Sequence, residues 1–403
     1  MTKHQKVDPR YVIVLGACMT QFMVIGLLFS YGLFFKVFEA EFGWSRTLVS
    51  SCASLAFFMM GVLAIFAGRL SDRYGPRIVL GIAGTLFGIG FALISRVGEP
   101  WQLFLIFGLF IGLGMSTHDV VTLSTVARWF DRRRGMMTGV VKVGTAVGQI
   151  AVPPVAAVLI TGLGWRSAAL VLGLVASVSL LGAALMIRNP EKSATDAPKS
   201  EGHGIGFKSA IKTRLFWSLC AIQFLFLPTL TTVPLHIVVH GMDLGMKATL
   251  AAFLLSVTGA ASIAGRLAVG AFSDRIGGKN SLIFCFLPLI FSLVVLVFVE
   301  TAWPLFAAVA VYGFAHGGFF TIIAPTIAEY FGTRAHGAIF GAVLFFGTIG
   351  GAIGPIWAGR IFDTTGSYAP AFMSLAAMAV MGLIIALSLP NRARTAMAKS
   401  TYS

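Results

Sequence analysis

The sequence predicts an all-α membrane protein with twelve transmembrane helices in two pseudo-symmetric six-helix bundles. Of its 403 residues, 57% are hydrophobic and only 11% are charged, against about 25% charged in a soluble domain. Such a chain has too little polar surface to stay dissolved. Twelve apolar segments lie at about 11–35, 47–68, 78–95, 101–127, 136–162, 167–187, 215–240, 248–272, 281–299, 303–329, 338–362 and 369–389. Each comes near the ~20 residues that a helix needs to cross a bilayer. The halves also repeat. Gly68-Arg69-Leu70-Ser71-Asp72-Arg73-Tyr74-Gly75-Pro76-Arg77 matches Gly270 to Lys279 at an offset of 202. The same offset pairs Trp101 with Trp303, Gly135 with Gly337, Gly139 with Gly341, Gly148 with Gly350 and Pro153 with Pro355. Recurrence at one offset marks two repeats in the same orientation. The N-terminal bundle is expected over 1–187 and the C-terminal bundle over 215–403, joined by a cytosolic linker at 188–214.

The net charge of +15 suggests a nucleic-acid partner only until the Lys and Arg are placed. With both termini inside, 22 of the 30 fall in cytosolic loops and tails. Six fall outside (Lys36, Arg46, Arg96, Arg166, Lys247 and Arg360), and Lys142 and Arg266 fall within spans. This positive-inside distribution sets the orientation. The basic excess therefore predicts topology and contact with anionic membrane lipid, not DNA or RNA. The expected location is a bacterial inner membrane, multi-pass, with both termini cytoplasmic and a monomeric functional unit. Cys18, Cys52, Cys220 and Cys285 are isolated, which indicates neither a disulfide framework nor a metal site. No cofactor is expected. Residues Met1 to Arg10 are expected to lead straight into the first span, with no short leader and cleavage site before it.

Segment 1 carries Gln21, Ser30 and Tyr31 among Gly and Phe, and ends at Phe34-Phe35-Lys36. Ser45 is placed to cap segment 2. The first Asp72-Arg73 turn follows. Its carboxylate suits a neighbouring helix terminus and its arginine the headgroups, a gating role that Asp274 and Arg275 repeat in the second half. Segment 4 has Gly108-x-x-x-Gly112 for close helix contact, then Thr117-His118-Asp119. The loop from Arg128 through Arg132-Arg133-Arg134 is a cytosolic anchor. Segment 5 has Gly139, Gly144 and Gly148, with Lys142 seven residues inside and Pro153-Pro154 beyond. His203 in the linker is expected to be solvated. Segment 7 has Pro228 and Pro234, which predict a bent helix, with His236 deeper than His240. Segment 8 places Ser262 one turn before Arg266 on the same face. Segment 10 puts Tyr312, His316, Phe319 and Phe320 on one broad face, for either packing or a pocket. Segment 11 has Gly347-x-x-x-Gly351 and Gly350-x-x-x-Gly354, then Pro355, and no charge before Arg360.

The charges inside the spans carry the functional argument. Arg266 lies eight residues before Asp274, which is ~12 Å at the helical rise. A guanidinium at that depth costs about 2.5–3.5 kcal/mol. It keeps its proton, so it needs a partner or a wet cavity. Its twin position, residue 64, is Ala. An anion site in a polar pathway is one reading; an arginine that reaches the interface or pairs with a carboxylate for stability is the other. Asp119, whose twin is Thr321, is either a proton-binding or cation-paired carboxylate in the pathway, or half of a structural ion pair with Lys142 or Arg128. Lys142, whose twin is Leu344, serves the pathway or snorkels to the inner interface. A small carboxylate crossing a bilayer needs a cation to replace its hydration, and the planar fork of Arg accepts both of its oxygens. Release then needs a group that changes charge, and His118, Asp119, His236 and His316 are available. The sequence shows no activated nucleophile, metal cluster or phosphate-binding glycine loop, so an enzyme is not expected.

Two six-helix halves, each with the Gly-x-x-x-Asp-Arg-x-Gly turn, resemble the major facilitator superfamily over nearly the whole chain. Within it, Ser262-Ile263-Ala264-Gly265-Arg266 is similar to the segment-8 motif of monocarboxylate transporters, where an Asp precedes the substrate-binding Arg by one turn. Segment 1 into the Phe34-Phe35-Lys36 turn resembles the same family, and segment 11 resembles oxalate/formate exchangers. The resemblance implies the major facilitator fold. It also implies a bacterial symporter of a proton and a small monocarboxylate such as L-lactate or pyruvate, working by alternating access. Taken with the residues above, the substrate contacts are expected from Arg266, Lys142, Ser262, Leu28, Phe29, Tyr31, His236, Tyr312, His316 and Phe320. Proton coupling is expected at Asp119 and His118, and gating at Asp72, Arg73, Asp274 and Arg275. The family's Asp is Ser262 here, and its segment-1 lysine falls near Leu28-Phe29 and is missing. The second cation of the oxalate exchangers is also missing from segment 11. One central Arg argues for a monoanion over a dianion. Anion exchange of the oxalate/formate type is the alternative, and a membrane sensor without transport is a further one.

Overall fold

The computed structural model describes residues 8–44, 46–130, 133–190, 204–246 and 248–391; Ser45, Lys247 and the linker stretch 191–203 with His203 lie outside them. The helices in order are α1 (Pro9–Phe42), α2 (Arg46–Tyr74), α3 (Pro76–Leu93), α4 (Pro100–Leu105), α5 (Gly112–Trp129), α6 (Arg134–Leu163) and α7 (Trp165–Met186). The short α8 (Phe207–Ala210) precedes α9 (Arg214–Asp243), α10 (Ala248–Phe298), α11 (Ala302–Phe331), α12 (His336–Thr365) and α13 (Ala369–Ser388). Among the described residues, 11 helices are long and apolar enough to cross a membrane. One of them, α10, holds two of the apolar segments, because the chain turns at Gly277 with φ 80° and ψ 168°. Its twin Gly75, at φ 89°, makes the same turn between α2 and α3, with Pro76 opening the next helix. Glycine adopts these angles at little cost, and proline in a first helical turn forfeits no hydrogen bond. The fourth segment departs from a plain α-helix. Ile106–Ile111, around Gly108, is π-helical and joins α4 to α5.

The fold has two compact units. One comprises Met1–Asp131, Val140–Gly204 and Thr333–Gly341; the other comprises Arg132–Gly139, Ile205–Gly332 and Ala342–Ser403. The first turns of α6 thus belong to the second unit, and those of α12 to the first.

Within the first unit the packing is that of helices in lipid. Helix α7 buries Ala168, Ala169, Gly173, Ala176 and Ala183 and exposes Leu174, Val178, Leu181 and Leu185. Small residues let backbones approach, while large apolar side chains lose nothing by facing acyl chains. A Cβ on Gly173 would lie 2.3 Å from Ala92 N and 2.5 Å from Gly88 O of α3. Gly173→Leu is therefore expected to force α3 and α7 apart. Overpacking costs about 1–3 kcal/mol even where side chains can yield, and here backbone stands in the way. The expected result is a lower melting temperature in detergent; an unchanged one would show that the contact is dispensable. Near the end of α1, Glu41 accepts from Trp165 Nε1 at 2.5 Å and from Arg166 at 2.6 Å. The hydrogen bond from Arg166 holds the Glu41 carboxyl below the ordinary glutamate range. This clasp is fully present above that range and is lost only as pH falls through the lowered value.

Candidate functional site

In the second unit, α10 and α11 touch backbone to backbone. A Cβ on Gly265 would lie 2.0 Å from Phe314 O, and one on Gly317 would lie 2.1 Å from Ser262 O. This contact sets the depth of Arg266, which is 3% exposed. Its guanidinium lies over the Phe320 ring, 5.8 Å from the centroid. The His316 ring lies 5.2 Å from that of Phe320, and His316 Nδ1 lies 3.1 Å from Tyr312 Oη. The Tyr312 hydroxyl donates to Thr229 O at 2.9 Å. The structure thus strings Arg266, Phe320, His316 and Tyr312 into one chain of contacts. Phe319, on the same helix, is used for packing and stacks on Phe226 at 3.6 Å. Ser262 is buried near Arg266 with its hydroxyl in no hydrogen bond.

Other expected substrate contacts are placed differently. His236 Nδ1 lies 3.2 Å from Tyr368 Oη, near the far end of α9. Leu28 and Tyr31 sit in the apolar core of the first unit. The Tyr31 hydroxyl donates to Val49 O at 3.1 Å, and its ring packs on Phe107 at 4.2 Å. Phe29, one residue on from Leu28, is 53% exposed.

The first unit builds its own polar cluster from α1, α5 and α6. Lys142 Nζ donates to Asp119 Oδ1 at 2.6 Å, so Lys142 is the partner that the sequence left open. The other candidate, Arg128, pairs with Asp72. Gln21 Nε2 donates to the same Asp119 oxygen at 2.7 Å, and Thr145 donates to Gln21 Oε1 at 2.8 Å. His118 Nε2 lies 3.6 Å from Asp119 Oδ2. All five side chains are buried. A buried ion pair is tolerable only when its remaining hydrogen-bonding capacity is also met, and Gln21, held in turn by Thr145, supplies a second donor to the carboxylate. Gln21 was noted in segment 1 without a role, and Thr145 was not singled out from sequence. The one available signal is that Gln21 recurs at the repeat offset as Gln223. In the second unit the matching positions are Gln223, Thr321 and Leu344. There no ion pair replaces the Asp119–Lys142 pair, and Gln223 Oε1 is buried without a hydrogen bond.

The repeated turns end on helix termini. Asp274 accepts from Gly135 N at 2.7 Å and Met136 N at 3.1 Å, in the first turn of α6. Asp72 accepts from Ala338 N at 3.2 Å, in the first turn of α12, and its other oxygen accepts from Arg128. A carboxylate here satisfies orphan N–H groups and meets the positive end of the helix dipole. Glycines allow the approach. A Cβ on Gly135 would lie 2.4 Å from Gly270 O, and one on Gly68 would lie 2.1 Å from Gly337 O. Arg73 and Arg275 are exposed, and Arg73 lies over the Tyr74 ring at 5.2 Å.

Residues 17–355 match the profile of the Major Facilitator Superfamily. The chain is 28% identical to monocarboxylate transporter 13 of Bos taurus over 384 residues, covering 94% of this chain and 89% of that protein. It is 26% identical to human monocarboxylate transporter 11 over 396 residues, covering 94% and 83% respectively. Its fold is similar to that of the E. coli fucose:proton symporter FucP, at a TM-score of 0.74 with 16% identity, over 94% of this chain and 98% of that one. The proton:xylose symporter XylE gives 0.73 with 14% identity, over 95% and 96%. At such identities the two structures speak for the fold alone. A family profile over most of the chain, relatives that are transporters and helices that suit a bilayer agree: this is a multi-pass membrane transporter, not an enzyme, and it belongs to the major facilitator superfamily.

Proposed function

We propose that the protein is a proton-coupled symporter of small monocarboxylates such as L-lactate or pyruvate, working by alternating access. The observation that carries this reading is Arg266. It is a permanent cation, buried on α10 over the Phe320 ring, which His316 adjoins, at a position where the other repeat has Ala64. A planar fork of donors suits a carboxylate, and monocarboxylate transporters stand among the relatives. His118 and Asp119, buried side by side, are read as the proton-coupling groups. Lys142 is engaged by Asp119, and a site built on the single in-span guanidinium of Arg266 favours a monoanion over exchange of a dianion. Asp72 and Asp274, with Arg73 and Arg275, are read as gating groups at the cytosolic edge of a bacterial inner membrane, with both termini cytoplasmic and the monomer as the working unit.

The test is uptake of radiolabelled lactate into proteoliposomes, with and without an imposed pH gradient. Uphill accumulation driven by an inward proton gradient is expected. Uptake that ignores the gradient and requires an internal anion would overturn symport in favour of exchange. No binding or uptake of any small monocarboxylate would overturn the substrate class.

A further inference from the structure

The tautomer of His118 is set by its own helix. His118 Nδ1 is within hydrogen-bond distance of Met115 O. A backbone carbonyl only accepts, so Nδ1 carries a hydrogen. In a neutral ring that leaves Nε2 as a lone pair. Nε2 faces Asp119 Oδ2 at 3.6 Å, and an ionised carboxylate oxygen also only accepts. Two acceptors therefore confront each other among buried side chains. One proton placed between them converts the mismatch into a charge-assisted hydrogen bond.

The other side of Asp119 is already committed. Oδ1 takes donors from Lys142 at 2.6 Å and Gln21 at 2.7 Å. Gln21 is itself held by Thr145, and it also donates to His118 O at 2.9 Å. Thr122 donates to that same carbonyl. Asp119 is thus a fixed anion neutralised by a fixed cation, and the imidazole is the member that can gain a charge. Among the described residues, Asp119 and Lys142 are the charged groups that act on the ring. The other neighbours named here, Gln21, Thr122 and Met115, are neutral.

We propose that His118 carries the coupling proton on Nε2, and that Asp119 and Lys142 form its fixed counter-ion frame, positioned by Gln21 and Thr145. This assignment rests on the proton-coupled reading given above. Loading forms one N–H bond at Nε2, which donates to Asp119 Oδ2. Unloading breaks that bond and restores the lone pair. No other bond changes.

The assignment is tested by two transport assays and one titration. Counterflow of labelled lactate at equal pH involves no net proton movement, whereas gradient-driven accumulation does. His118→Gln is expected to lose accumulation above equilibrium while some counterflow persists, so the ratio of the two falls to its zero-gradient value. The double variant Asp119→Asn, Lys142→Met removes both fixed charges together. It is slower than the parent, yet is expected to keep a response to the gradient, with a displaced pH profile. The opposite pattern, a gradient response in His118→Gln and none in the double variant, would make Asp119 the carrier and overturn the proposal. Should His118→Gln lose all transport, nitrogen-15 spectra of histidine-labelled protein without substrate decide the matter. A ring signal missing from the variant is expected to change with pH in the parent over the range in which the protein stays folded. A His118 signal constant over that range overturns the assignment. Failure of monocarboxylate transport itself would appear as absent counterflow in the parent protein, which the substrate-free titration does not depend on.

Discussion

Arg266→Ala is expected to abolish monocarboxylate uptake while leaving the protein folded. A hydrogen bond to a charged group contributes about 1.5–3 kcal/mol, and a forked pair of them about twice that. The loss is thus a hundredfold or more in binding, at 1.4 kcal/mol per factor of ten. Folding should survive for a separate reason. The neighbourhood of Arg266 is held by backbone contacts, with Gly139 pressed against Arg266 O and Gly317 against Ser262 O. Removing a guanidinium also relieves an insertion cost of about 2.5–3.5 kcal/mol. Arg266→Lys keeps the charge and loses the fork, so it too is expected to transport poorly. The measurements are labelled uptake beside a melting curve and size-exclusion profile. Normal uptake by a well-behaved Arg266→Ala protein would sink the role given to this residue.

Asp72→Asn should slow turnover with little change in substrate affinity. Asp72 touches a helix terminus and Arg128, not the chain of contacts around Arg266. Loss of a helix N-cap costs about 0.5–2 kcal/mol. The Arg128 guanidinium, left partly buried without its carboxylate, adds to that. A fall in maximal rate of about tenfold is expected, with the half-saturating concentration within about twofold of the parent. Asp274→Asn should act in the same direction, since Asp274 holds two N–H groups of α6. A large loss of affinity at normal turnover would contradict the gating role.

The features legible in the sequence are those whose physics is local or whose cost is high. The turn at Gly75 and Gly277 could be read because a positive φ, a capping Asp and a following basic residue must lie within a few positions. Arg266 could be read because a charge in an apolar run always requires a reason. Partner choice was not legible. Asp119 had two candidate cations, and the structure gives it Lys142 while Arg128 goes to Asp72, 56 residues away. Gln21 reaches Asp119 across 98 residues, a distance that no spacing rule connects. Segment 1 hid its orientation, because its polar residues, Gln21 and Ser30 among them, are too sparse to mark a stripe along an inner face. Leu28 and Tyr31 were accordingly expected at the substrate and are found in the core.

Gln223 gives the repeat a history. A tandem duplication starts with two equal copies, and both still carry a glutamine at this place. Around Gln21 the first copy holds an acid, an imidazole and an ammonium group. Around Gln223 the second copy has Thr321 and Leu344 instead, and its amide oxygen is stranded. The second copy holds a guanidinium where the first has only a methyl group. On the function proposed above, the copies divide the labour, and neither stands in for the other. A chain assembled from the first repeat twice would hold the Asp119, His118 and Lys142 cluster with no Arg266, and one assembled from the second twice would hold two guanidinium groups with nothing to titrate at the matching place.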